Sequence, residues 1–217
     1  MLKVKIVSDV SCPWCIIGYS SLAKAIGESG LEAEIELQWK PFELNPNMPA
    51  EGQDRAEHIQ QKYGLTKEQG NANRQNIINR GSELGYEFSF PESGRVYNTF
   101  KAHRLIHWAA DFSLQTELKL ALFDLYFKQG GNPSDEDSLL KCVELVGLDV
   151  QLARDILNSD LYSEQVRQDQ QWNSQNGISA VPAFIFNDKY LVSGGQPPEV
   201  FMNVFNELKK NETSEAR

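Results

Sequence analysis

Lys3-Val4-Lys5-Ile6-Val7-Ser8-Asp9-Val10-Ser11-Cys12-Pro13-Trp14-Cys15-Ile16-Ile17 is the stretch whose reading decides the fold. Residues Lys3 to Val10 alternate and are rich in Val and Ile, the pattern of a strand. After Cys15 the apolar residues Ile16, Ile17, Tyr19, Leu22, Ala23 and Ile26 recur at helical spacing, and Gly27 and Gly30 end that helix. A second strand runs from about Ala33 to Trp39, with Ile35, Leu37 and Trp39 on one face, and stops at Pro41. The opening is a strand–helix–strand unit with a Cys-x-x-Cys pair at the strand-to-helix junction.

That position carries chemistry. Two cysteines three apart at a helix start share a face, with Cβ atoms about 5–6 Å apart, so a disulfide needs little backbone adjustment. The first helical turn leaves N–H groups unpaired and holds partial positive charge. A thiolate at the cap is expected to be stabilised, its pKa falling from about 8.5 towards roughly 3.5–7.5. Pro13 suits the first helical position, where an N–H would have no partner. Cys12, at the cap, is expected to be the exposed nucleophile, and Cys15, one turn in, the thiol that resolves a mixed disulfide.

Outward from this unit the pattern changes. From Glu51 to Asn176 every segment reads as helix: Asp54–Tyr63, Lys67–Leu84, Tyr97–Trp108, Leu114–Lys128, Asp135–Val146 and Val150–Gln175. Gly64, Gly85, Gly130-Gly131 and Gly147 punctuate them. Strands return at Ala183–Phe186 and Tyr190–Ser193 around a turn at Asn187-Asp188. Gly194-Gly195 leads into a last helix from about Pro198 to Leu208. The expected division is residues 1–50 with 177–210 as one discontinuous domain, 51–176 as a helical insertion, and a polar, disordered tail at 211–217.

Composition excludes several classes. The 217 residues are 41% hydrophobic and 24% charged, ordinary for a soluble globular chain. A net charge of −9 with no basic run argues against nucleic acid and anionic membrane as partners. No run reaches the roughly 18 apolar residues of a membrane span. The N-terminus is too short and too charged for a signal h-region, so a cytoplasmic location is expected. Three cysteines are too few for a disulfide scaffold, and in a reducing compartment a close pair is catalytic or metal-binding sooner than structural.

Two segments together carry a resemblance: Ser8-Asp9-Val10-Ser11-Cys12-Pro13-Trp14-Cys15, and Gly177-Ile178-Ser179-Ala180-Val181-Pro182-Ala183-Phe184-Ile185-Phe186 with Val192-Ser193-Gly194-Gly195-Gln196. The chain resembles the DsbA-like thioredoxin-fold family, in its FrnE-like cytoplasmic branch. Trp39-Lys40-Pro41-Phe42-Glu43-Leu44-Asn45-Pro46 and Asn98-Thr99-Phe100-Lys101-Ala102-His103-Arg104-Leu105 resemble that branch too. The likeness spans nearly all of Lys3 to Leu208. It implies an α/β thioredoxin-like fold (βαβ … ββα) with a large all-helical insertion, and a cis bond at Val181-Pro182. The cis-proline loop would present the Val181 backbone to an extended substrate beside the disulfide.

The resemblance implies a thiol–disulfide oxidoreductase with Cys12 and Cys15 as the catalytic pair. Pro13, Trp14, Val181, Pro182 and His103 would line the substrate. No tightly bound cofactor is expected, and glutathione is a candidate co-substrate beside protein thiols and disulfides. The oligomeric state stays open. Relatives that are glutathione-dependent isomerases or kappa-type transferases commonly carry Ser at the nucleophile. This chain keeps both thiols, and a resolving Cys15 would expel bound glutathione as its disulfide.

Three other readings compete. The chain could be a glutathione-dependent isomerase or transferase acting on a small apolar substrate of polyketide or aromatic type. The pair could be half of a zinc site completed by His58, His103, His107 or Cys142, although a structural zinc pair usually sits in a knuckle turn. It could also be vestigial in a non-catalytic binding module. His107 reads as a histidine partly buried between helices, and Cys142 as a packed core thiol. Asp135-Glu136-Asp137 reads as a solvated helix start.

Overall fold

Strand β1 (Leu2–Ser8) buries both of its faces. Val4 and Ile6 point to one side and Val7 to the other, each with no exposed surface. A strand with two apolar faces belongs in the middle of a covered sheet. In the computed structural model, which describes residues 1–49, 51–91 and 94–215, it lies second in a four-stranded sheet. β2 (Ile35–Pro41) pairs parallel to one edge of β1, and β5 (Ala183–Phe186) antiparallel to the other. β6 (Tyr190–Ser193) closes the sheet as a hairpin with β5, giving the order β2-β1-β5-β6.

The register aligns Trp39, Ile6, Phe184 and Val192 in one row across the sheet. On that face lie α1 (Pro13–Ser29) and α9 (Pro198–Glu215), side by side. Phe184 and Phe201 meet edge-on, with ring centroids 4.9 Å apart. Gly18 of α1 sits on Phe184 and Pro182, where a Cβ would come within 2.9 Å of the Phe184 ring and 3.1 Å of the proline ring. Its missing side chain lets the helix that starts at the cysteine pair reach the Val181-Pro182 loop. The opposite face carries a smaller cluster of Val7, Ala183 and Ile185 with Ile178.

α1 starts at Pro13 with Cys12 as its cap residue and runs through Gly27 to Ser29. Only Gly30, at φ 67°, turns the backbone left-handed and ends it. Asn187 and Asp188 both take positive φ, as a two-residue hairpin requires.

Between β2 and β5 the described residues add a short ladder and seven α-helices. β3 (Gln53–Asp54) pairs with β4 (Arg95–Val96), so the insertion is not wholly helical as the periodicity suggested. Two-residue strands leave no periodic trace; this pair is held by the Arg95 guanidinium on the carbonyls of Glu51 and Gly52. The helices are α2 (Arg55–Tyr63), α3 (Lys67–Ser82), α4 (Phe100–Ala109), α5 (Gln115–Phe127), α6 (Glu136–Leu145), α7 (Val150–Leu157) and α8 (Ser163–Gln175). The expected continuous stretch from Val150 to Gln175 is thus broken. The buried Arg104 of α4 donates to the carbonyls of Ile156, Ser159 and Leu161, satisfying the end of α7 and the turn that follows. α9 extends to Glu215, so most of the expected disordered tail is helical, with Asn211 donating to the Tyr190 hydroxyl at 3.3 Å. Residues 216–217 of that expected tail lie outside the described ones.

The insertion shares its core with the sheet. One apolar cluster joins Ile6, Ile17 and Phe184 to Leu105, Leu122 and Phe123. The outer edge of β2 is bonded by side chains: Gln115 accepts from the Trp39 N–H at 2.8 Å, Thr116 accepts from its indole N–H, and Asn173 donates to the Pro41 carbonyl. A covered edge cannot template aggregation. No helix among the described residues is long and apolar enough to cross a membrane.

Gly18→Val places a branched side chain where a single Cβ already clashes. Helix propensity hardly separates Gly from Val by comparison, so overpacking decides the sign. We expect a loss of about 2–3 kcal/mol, read as a lower urea midpoint at unchanged slope.

Candidate active site

The turn between β1 and α1 is pinned by a carboxylate. Asp9 is fully buried and accepts the N–H of Ser11 at 3.1 Å and of Leu44 at 2.7 Å. The Cys12 N–H bonds the Asp9 carbonyl, and the Cys15 N–H bonds the Cys12 carbonyl at 3.0 Å. These bonds set both sulfurs on the first turn of α1. Cys12 retains 4% of its surface and Cys15 none, so Cys12 is the thiol nearer the outside.

The Val181-Pro182 bond is cis, as the resemblance implied. The Cys12 sulfur lies 3.7 Å from the Val181 carbonyl, which joins the loop to the pair across 169 positions of sequence. Trp14, half-buried, packs under Gly195, where a Cβ would meet its ring at 3.1 Å. Cys12, Cys15, Pro13, Trp14, Val181 and Pro182 therefore gather as expected.

The charge distribution within the pair differs from the expectation. The hydrogen bond to Cys15, with burial and the charges of Cys15 and Asp9, pushes the Cys12 thiol well up. Burial alone would raise Cys15 too, but the Cys12 S–H, the Ser8 hydroxyl and the charge of Lys119 outweigh it, and Cys15 ends below its ordinary value. At Cys12 the hydrogen bond to Cys15, burial and the Asp9 carboxylate one turn away outweigh the partial charge of the helix terminus.

His103 was expected at the substrate surface. It is instead 2% exposed and lies behind the pair, its Nε2 3.7 Å from Asp9 Oδ1. That distance is beyond a hydrogen bond, and Nε2 has no other partner. Burial raises the Asp9 pKa, yet the imidazole and the N–H groups of Leu44 and Ser11 bring it net below the ordinary value. His107, on the same helix, is partly exposed and faces Asp169 at 3.6 Å, which Lys40 bonds at 2.8 Å. His58 bonds Gln53 at 2.8 Å. Cys142 packs in the core with its S–H on the Ala121 carbonyl, and burial pushes it up to about 11. Among the described residues no three His, Cys, Asp or Glu side chains gather as metal ligands.

Three site residues escaped assignment from sequence. Ser8 has no hydrogen-bond partner of ordinary geometry, yet lies near enough to favour the Cys15 thiolate. Asp9 stands in the quoted segment, but an acid before a helix reads first as a solvated cap. Lys119 sits on the buried face of α5 with Gln115, Leu118, Leu122 and Phe123. A lysine on an apolar stripe was its one signal.

Beside the cis-proline loop runs an open groove of about 460 Å³. Phe42 and Ile178 line it and pack in the cluster that Val181 joins, and Glu43 pairs with Arg167 along its wall.

A family model described as a DSBA-like thioredoxin domain matches residues 3–206. The chain is 27% identical to the Bacillus subtilis (strain 168) protein YwbO over 210 residues, covering 96% of this chain and 98% of that one. It is similar to a probable DsbA oxidoreductase from Streptomyces coelicolor, at TM-score 0.88 and 28% identity over 95% of this chain and 89% of the other. The cytosolic disulfide reductase DsbM from Pseudomonas aeruginosa, solved with GSH, shares the fold at TM-score 0.66 and 13% identity, over 96% of this chain and 99% of that one.

Folding lowers the Asp9 pKa, so its contribution to stability is present above the ordinary value of 3.8 and is lost as pH falls through the lower folded value. Asp9→Asn keeps the shape but cannot accept both N–H bonds. It should cost about 1–3 kcal/mol at neutral pH. Urea unfolding of both proteins should show the gap narrowing by a pH of about 3; an equal gap there would refute the assignment.

Proposed function

We propose that this chain, which belongs to the family of DSBA-like thioredoxin domains, is a thiol–disulfide oxidoreductase that works through Cys12 and Cys15. The observation that carries the reading is the pair itself: two cysteines on the first turn of α1, the outer sulfur 3.7 Å from the Val181 carbonyl. Cys12 keeps the role of nucleophile because it is the sulfur a substrate can reach.

In the reductive direction Cys12 attacks a substrate disulfide, one substrate sulfur leaves as thiolate, and a mixed disulfide forms. Cys15 then attacks the Cys12 sulfur, expelling the second substrate thiolate and closing the Cys12–Cys15 disulfide. Two electrons pass from the pair to the substrate. The opposite direction follows the same steps in reverse, and the relative stability of the two states sets which prevails. The Val181 backbone, with Pro182, Pro13 and Trp14 around it, would hold an extended substrate next to Cys12.

The groove beside Val181 supports a peptide-like partner: apolar at Phe42 and Ile178, with opposite charges at Glu43 and Arg167. Glutathione or an extended protein segment fits that chemistry. Both thiols are present, which favours exchange over isomerisation or thioether formation by a bound glutathione. Cysteine usage, one reactive pair and one packed thiol, suits the cytoplasm and the FrnE-like branch.

Cys12→Ser should abolish disulfide reduction. Cys15→Ser should slow turnover by about two orders of magnitude or more and accumulate a mixed disulfide on Cys12, detectable by intact mass. Equal activity in Cys12→Ser would sink the reading.

A further inference from the structure

Glu43, two residues beyond β2, has a side chain only 2% exposed. A buried carboxylate needs its lone pairs filled. Gln170 donates to its Oε2 at 3.0 Å, Arg167 donates to the same oxygen, and the Asn98 amide stands 3.4 Å from Oε1. Arg167 uses one nitrogen for this, Nη1, which also donates to Gln170 Oε1 at 2.8 Å. Its guanidinium lies over the Phe100 ring, 3.8 Å from the centroid. Ring and carboxylate fix the group. Among the described residues its Nε and Nη2 have no hydrogen-bond partner, and the side chain is 51% exposed. A planar fork held at one nitrogen and open along its other edge suits a second carboxylate. Arg167 lines the groove of about 460 Å³ together with Phe42, Ile178 and Ser174. Val181 packs with Phe42 and Ile178, and its carbonyl is 3.7 Å from the Cys12 sulfur, so the groove leads from the reacting centre to the guanidinium.

We infer that Arg167 is a specificity residue, selecting extended protein segments that carry an acidic side chain a few residues from the reacting cysteine. The inference rests on the oxidoreductase reading and deepens it by naming the substrate class. Length favours a protein segment over a small thiol. Arg167 and Ser174 both stand on the α8 wall of the groove, and seven residues of helix rise about 10 Å. That is the span of about three extended residues. Glutathione carries its carboxylates on the residues next to its cysteine, whereas a protein segment reaches further along the wall. Charge favours an acid. With a net charge of −9 the protein repels anions at long range, so a local cation has to supply any preference for one. Glu43 shows the groove little of its own charge, because its side chain is buried and its oxygens are bonded. Phe42 and Ile178 offer apolar surface to the residues between the cysteine and the acid.

Matched peptides test this. Each has one cysteine, disulfide-linked to a coloured aryl thiol, with Glu or Gln scanned over the nearby positions on either side. The reduced protein attacks the peptide sulfur and releases the aryl thiolate. With the unmutated protein, Glu at the best position should react about tenfold faster than Gln at the same place. High salt should shrink that ratio. This comparison needs no variant, so it survives any folding defect. The double variant Arg167→Met, Glu43→Gln removes both charges and strands no buried carboxylate. Its Glu-to-Gln ratio should fall to about one, whatever the change does to both rates together. An arginine that only balanced Glu43 would leave the ratio unmoved. The inference is overturned if the unmutated protein shows no preference at any position, or if the ratio persists in the double variant. It is also overturned if a preference appears only between glutathione disulfide and its ethyl ester, since the occupant is then a small thiol. If neither peptide releases thiolate, the oxidoreductase reading fails and this inference falls with it.

Discussion

A single buried carboxylate organises this molecule. Asp9 accepts one N–H from the cysteine turn and one from Leu44 beyond β2, and lies against His103 on α4. Three segments distant in sequence meet at its two oxygens. An acid with no exposed surface is tolerated only when its lone pairs are filled, and filling them places the first turn of α1 relative to the parallel strand pair. The position of Cys12 follows from that turn, and the contact with Val181 follows from Gly18, which lets the same helix lie close to Pro182 and Phe184.

The second consequence is electrostatic. Asp9 disfavours a charge on the nearer sulfur, and Lys119 favours one on the deeper sulfur. A helix terminus offers roughly half an elementary charge, spread over several N–H groups. Whole charges in a dry interior outweigh it. The Cys12 thiol is therefore held above its ordinary value and Cys15 below its own.

The insertion does more than roof the sheet. Gln115 and Thr116 bond the edge of β2 through Trp39, and this anchorage sets the start of α5. One turn further along, Lys119 then comes within 3.5 Å of the Ser8 carbonyl at the end of β1. α4, packed against α5, brings His103 to Asp9 and His107 to the rim near Asp169. Every buried ionisable group behind the sulfurs, except Asp9 itself, comes from these two helices, so the redox pair and its charged surroundings belong to different parts of the chain.

Much of this was determined by sequence alone, because it depends on near neighbours. The alternation in Lys3–Val10, the proline after Cys12 and the turn at Asn187-Asp188 act over a few residues, and the strand, the helix start and the hairpin stand where those residues put them. The break between α7 and α8 and the short β3–β4 ladder were decided by the guanidinium groups of Arg104 and Arg95 reaching carbonyls across the fold, which no periodicity records. The burial of His103 beside Asp9 was settled likewise, by packing of segments far apart in sequence. Local spacing states which thiols can bond; only tertiary packing, by burying both sulfurs with Asp9 and Lys119, sets the direction in which each thiol is shifted.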